Sequence, residues 1–194
     1  MNKGVLRHWP IYLGIAAAVS LATVMAVSFR CRVKDTERVF VFAAVPNIDL
    51  ATFVEEGKKA TDESIREIEI KQGRPESNDT ANLFGMVYPL ADLYLCPTSW
   101  VERILPYAYS FSGEQCETSL PNANGNLAYE KEGEYRAIRI YDHETKSGKM
   151  TSLLEYGAEE DYYLLFRGDS KHIGDWNGEK SSNALKMMDH LLEI

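Results

Sequence analysis

The stretch RVFVFAAVPNIDLATFVEEG, residues 38–57, decides the fold of this chain. Residues 38–46 form a near-continuous run of Val, Phe and Ala, the pattern of a strand buried on both faces. Pro46 stops the run. Asp49 is placed to cap a helix, and Leu50, Phe53, Val54 and Ala60 recur along one helical face. A strand buried on both sides needs a layer above it and another below, so this stretch calls for helices packed on a sheet.

The pattern then repeats. EIEIK (67–71) alternates as a second strand. The turn residues that follow lead to a second helix, capped by Asn78, Asp79 or Thr80, with Leu83, Phe84, Val87 and Tyr88 as its buried stripe and Pro89 as its end. ADLYLCP (91–97) is a third strand. Ser99-Trp-Val-Glu102 has the spacing of a capping box, opening a short helix that ends before Pro106. Strand followed by helix three times over predicts an α/β domain with a mostly parallel sheet and a three-layer-like arrangement, over residues 38–194.

Beyond that point the texture changes. Residues 106–126 are polar, with scattered aromatics and no periodicity, and read as a loop. LAYEKEGEYRAIRIYD (127–142) offers two strands around Glu132-Gly133, and DYYLLFR (161–167) another buried strand. A Ser cap and apolar Ala184, Leu185, Met188, Leu191 and Leu192 mark a closing amphipathic helix. No repeat and no second domain boundary is visible.

The amino-terminal part is of another kind. After a flank, residues 1–8, the segment 9–30 contains 19 consecutive uncharged residues, Ile11 to Phe29. That is about the length a helix needs to cross the hydrocarbon core. Trp9 and Tyr12 suit one interface, while Arg30 and Arg32 close the other end. Residues 9–30 therefore read as a transmembrane helix or signal anchor, and residues 31–37 as a linker. A cleaved signal peptide ending at Ala26-Val27-Ser28 is the competing reading, with a shorter apolar region as its usual mark. A lipid-modified Cys31 is a third, opposed by the Ser-Phe-Arg before it.

Charge narrows the partners. The chain carries a net −8, and residues 1–30 hold Lys3, Arg7 and Arg30 with no acid, so residues 31–194 carry −11. Such a body repels phosphate backbones, and nucleic acid is not an expected partner. Basic residues flank the apolar segment on both sides, and their count alone places the large domain in the cytoplasm. Cys96 and Cys116 either pair, if the domain lies outside, or sit as small buried hydrophobes.

Two motifs invite a catalytic reading, Gly168-Asp-Ser170 and Asp169-x-x-His172. They overlap in one short segment, too local to supply two arms of a triad from separate elements. The position after the first strand, where a nucleophile would stand, reads Ala43-Ala44-Val45-Pro46. Asp142-His143-Glu144 and Asp169, His172 and Asp175 offer metal-ligand chemistry without metal-ligand spacing. No glycine-rich phosphate loop is present, and Asn78-Asp-Thr80 matches a glycosylation sequon at chance level. Neither a cofactor nor a catalytic residue is expected.

Three segments carry a resemblance: RVFVFAAVPNIDLATFVEEG, ADLYLCPTSWVERIL, and the ending DYYLLFRGDSKHIGDWNGEKSSNALKMMDHLL. In that order residues 37–194 resemble the extracellular solute-binding proteins of bacterial ABC importers, as a short, membrane-tethered relative with one lobe. The resemblance implies a domain outside the membrane that binds a small solute or a transporter or envelope partner without catalysis. The departure is that residues 106–150 are too few for a second lobe. In an open parallel sheet ligands gather beyond the carboxyl ends of the strands, which points to Pro46, Asn47, Thr98, Ser99 and Trp100. Those residues can equally serve as helix caps. The alternative is an accessory or structural single-pass membrane protein with no small-molecule ligand.

Overall fold

The computed structural model describes residues 3–31, 33–74, 85, 90–123, 125–174 and 182–194, with side chains of the first helix described at Trp9 and residues 11–25. The chain divides into two compact units, Met1–Lys34 and Asp35–Ile194. The first is built on one helix, α1 (Lys3–Cys31). Every described side chain of α1 is exposed, among them Ile11, Leu13, Ile15, Val19, Leu21 and Val24. Among the described residues no helix is long and apolar enough to cross a membrane. The expected span over residues 9–30 is described only in part.

The second unit is an α/β domain on a mixed sheet. Its apolar opening strand, β1 (Arg38–Ala44), runs parallel to β3 (Glu67–Gly73) on one side and β4 (Leu93–Pro97) on the other. Next to β4 lies β9 (Tyr162–Phe166), antiparallel, and beyond it β6 (Ala137–Asp142), which returns to the direction of β1. Among the described residues four of the five long strands thus point the same way. The short strands β5 (Leu127–Ala128) and β7 (Ser147–Gly148) edge β6, and β2 (Asn47–Ile48) pairs with β8 (Leu154–Glu155) as a separate ribbon.

Strand periodicity sorts the core into two. Val39, Val41, Ala43, Leu93, Leu95, Leu164 and Phe166 face one side, while Phe40, Phe42, Tyr94, Cys96, Tyr163 and Leu165 face the other. On the first side pack α2 (Leu50–Ala60), α4 (Gly113–Ser119) and α5 (Asn183–Glu193), through Phe53, Cys116, Ala184, Met188 and Leu191. On the second packs α3 (Thr98–Ile104), through Trp100, Val101 and Ile104. This is the three-layer arrangement that the doubly buried β1 demanded. Where α2 meets β3 and α5, a Cβ on Gly57 would stand 2.9 Å from Ile68 Cδ1 and 3.1 Å from Met187 Sδ.

Several local expectations are corrected. The segment 106–126 is no loop: Ser112 accepts from Gln115 N–H and Gln115 accepts from Ser112 N–H, a true capping box that starts α4. The box expected at Ser99 and Glu102 does not form, because α3 begins at Thr98, two residues before a Ser99 cap would start it, behind Pro97 with no side-chain cap. Leu50 is exposed, since it stands at the first turn of α2 before the helix meets the sheet. In keeping with the expectation that residues 106–150 are too few for a second lobe, they add β5, β6 and β7 to the same sheet. The cap at residues 78–80, the stripe at residues 83–88 and Asp175 lie outside the described residues.

Candidate functional site

β1 and β4 are neighbours, yet their following helices part to opposite faces of the sheet, α2 to one and α3 to the other. Such a divergence opens a crevice at the carboxyl ends of the two strands. Pro46 and Asn47 leave β1 there, and Thr98 and Ser99 leave β4, all four exposed. Trp100 does not belong with them. It is 6% exposed and stacks on Phe42 at 6.1 Å between ring centroids, so it is a core residue.

The crevice is crossed by the chain itself. Asn47 pairs with Glu155, and Asp49 N–H donates to the Leu153 carbonyl at 2.9 Å. The Asp161 carbonyl accepts from Thr98 N–H at 3.0 Å and from the Thr98 hydroxyl at 3.2 Å. Glu160 Oε2 accepts from Ser99 N–H at 2.8 Å, and Asp49 caps α2 through Thr52. The donors that would receive an anion at these two helix starts are occupied by the protein's own acceptors.

Beside the crevice lies a polar group centred on Asp161. His143 meets Asp161 Oδ1 twice, through its ring Nδ1 at 2.7 Å and its backbone N–H at 2.9 Å. Tyr163 donates to Oδ2 at 3.3 Å, and Arg139 stands 3.6 Å away. Burial pushes the Asp161 carboxyl up, but the two His143 hydrogen bonds and Arg139 outweigh it and hold the pKa below the usual range. The Asp161 hydrogen bond raises the pKa of His143. The arrangement fixes the β6–β7 turn onto the entrance of β9.

The overlapping serine and histidine motifs resolve into a structural knot. Ser170 Oγ donates to Asp92 Oδ1 at 2.6 Å and accepts from His172 N–H, not from its ring, at 3.0 Å. The His172 ring, 4% exposed, turns away and meets the Asp35 carbonyl through Nε2 at 2.8 Å. Its own carbonyl accepts from Ala184 N–H at 2.9 Å and from the Ser182 hydroxyl. Asp92, 6% exposed, spends its other oxygen on Phe40 N–H at 2.8 Å. Six hydrogen bonds therefore tie β1, the entry to β4, the exit from β9 and the cap of α5 together.

Cys96 and Cys116 are free and lie in the cores on opposite faces of the sheet, which corrects the possible pairing. Burial raises the pKa of Cys116 to about 11 and pushes that of Cys96 up further. Among the described residues no group of three His, Cys, Asp or Glu side chains is arranged to hold a metal.

At the other end of β1 a cavity of about 210 Å³ opens over Phe40 and Asp92. Its walls carry three cations, Arg38, Arg167 and Lys171, and its rim carries Asp35, Asp169 and the exposed Leu90. Arg38 bonds Glu69 at 2.6 Å and Asp35 at 3.2 Å, and Arg167 Nε lies 2.6 Å from Asp169. A second cavity, about 230 Å³, runs along the outer side of β6, where Arg139 N–H and the Ile140 carbonyl are already paired with Asn126 and Lys149. The sequence rule for open sheets pointed to the carboxyl ends of β1 and β4. The charged cavity lies at the opposite end because antiparallel β9 delivers Arg167 there. One signal was legible: Arg38, Asp92 and Arg167 are single charges bordering three apolar strands.

No family model matches the chain, and no curated protein matches it.

Proposed function

We propose that this is a single-pass, membrane-anchored protein whose α/β domain stands outside the cell membrane and binds a small solute, or a transporter or envelope partner, without transforming it. The observation that carries the anchor is α1 itself: its described side chains are all exposed, within 19 uncharged residues. Six large aliphatic side chains there, at ~1.5–3 kcal/mol each, gain on the order of 10 kcal/mol when an apolar phase covers them. The binding role is supported by the cavity over Phe40 and Asp92, where side chains of both charges converge. The resemblance to one lobe of a solute-binding protein supports the outward orientation.

The self-filled crevice at Thr98 and Ser99 favours a second reading, an accessory single-pass protein with no small-molecule ligand. A thermal-shift screen of the full chain in mild detergent separates the two, with sugars, amino acids, short peptides and metal ions as probes. A ligand at about 100 times its dissociation constant stabilises by ~2.7 kcal/mol, a rise of roughly 5–10 °C for a domain of this size. Cooperative melting that no probe shifts, with a membrane partner co-purifying, establishes the accessory reading.

A further inference from the structure

The cavity over Phe40 and Asp92 has a charge pattern that selects its ligand. We infer that it holds a small zwitterion of the phosphoethanolamine type, with the phosphate against Arg38, Arg167 and Lys171 and the ammonium against the rim acids Asp35 and Asp169. This rests on the membrane-anchored binding role proposed above.

The argument begins with charge. Among the described residues three cations and three acids line the cavity, a balanced set within a body of net −11. A free dianion entering it meets the repulsion of that body, whereas a zwitterion adds no net charge. Three cations around one space suit the several free oxygens of a phosphate. A carboxylate is satisfied by one forked arginine.

The rim acids are exposed partners of the right charge. The Asp35 and Asp169 side chains are 78% and 84% exposed. Ion pairs this exposed are weakly held, so an incoming phosphate displaces Asp35 and Asp169 while Glu69 stays on Arg38. Displaced outward, they are free to meet an ammonium. Lys171 makes no ion pair with any described residue. Asp92, by contrast, is held inward by Phe40 N–H and the Ser170 hydroxyl and does not compete for the cations.

The same chemistry occurs free in solution and on a lipid headgroup. Exposed Leu90 offers an apolar wall beside the charged groups, on which the carbon chain of either form can rest.

The test uses the full chain in a neutral detergent, with phosphoethanolamine, inorganic phosphate, ethanolamine and glycine as probes of its melting temperature. Phosphoethanolamine at saturation should raise it by roughly 5–10 °C, with an apparent affinity at least tenfold better than any of the other three. Lys171→Ala, on an exposed side chain, should weaken that affinity about tenfold while leaving the melting temperature of the free protein unchanged. In nanodiscs of phosphatidylethanolamine the soluble probe should lose its effect, and in phosphatidylcholine discs keep it, if the headgroup is the occupant. Persistence in both kinds of disc assigns the site to the free solute. Equal response to phosphate and phosphoethanolamine, or no response in a protein that inserts into discs and melts cooperatively, overturns the inference and leaves the anchored reading standing. Failure to insert at all overturns the anchored reading instead.

Discussion

Replacing Asp92 by alanine tests whether the segment around Ser170 and His172 is a structural knot. The carboxylate is 6% exposed and accepts from Phe40 N–H at 2.8 Å and from the Ser170 hydroxyl at 2.6 Å. Its removal leaves the buried Phe40 N–H without a partner and breaks the bond from Ser170. An unsatisfied buried donor costs ~1–3 kcal/mol, and a hydrogen bond to a charged acceptor contributes ~1.5–3 kcal/mol. The expected loss in Asp92→Ala is therefore about 3–5 kcal/mol, or roughly 6–20 °C in melting temperature at ~2–4 °C per kcal/mol. Ser170→Ala should lose about 1.5–3 kcal/mol. Because the two groups share a bond, their double variant should cost at least ~1 kcal/mol less than the sum. The assay is chemical denaturation of the full chain and the three variants, followed by tryptophan fluorescence. Losses that add within ~0.5 kcal/mol, or an Asp92→Ala variant as stable as the parent, would refute the knot.

Three further outcomes follow from the same geometry. Ser112→Ala should destabilise by ~1 kcal/mol through loss of the α4 cap, whereas Ser99→Ala should change stability little, because Ser99 caps nothing with its side chain; parallel thermal melts check both. In a Cys31→Ala background neither Cys96 nor Cys116 should react with a thiol reagent at pH 8 until the fold is opened by denaturant, and no intramolecular disulfide should appear on a non-reducing gel. For His143 the folded pKa is raised by Asp161, so its contribution to stability is complete below the unfolded value of ~6.5 and fades as pH rises through the folded pKa. His143→Gln should remove that fall in stability as the pH rises above ~6.5. Asp161 has a lowered pKa, so its contribution is present above ~3.9 and lost on further acidification.

What was legible in the sequence was what a strand or a helix does over its own length. The apolar run of β1 called for cover on both faces, and the alternating stripes of α2 and α5 supplied one of the layers. What was not legible depended on pairing across the chain. The antiparallel return of β9 between β4 and β6 has no local mark, and it alone brings Arg167 beside Arg38. Trp100 stood at the expected site by position, but its ring turns with the first turn of α3 into the core. The Ser112 box was missed because aromatic residues around it broke the helical pattern, while Ser99 offered the same spacing without the geometry. Ser170 and His172 share a hexapeptide, yet their partners Asp92 and Asp35 lie 78 and 137 residues away.

The measurement closest to the central claim is alkaline carbonate extraction of membranes from cells making the full chain with a carboxyl-terminal tag, read with the intact mass. The account predicts that the protein stays in the membrane pellet with residues 1–30 still attached, and that Ala17→Arg with Leu21→Arg releases it. A parent chain recovered in the extract, or one shortened after Ser28, would contradict the anchored reading.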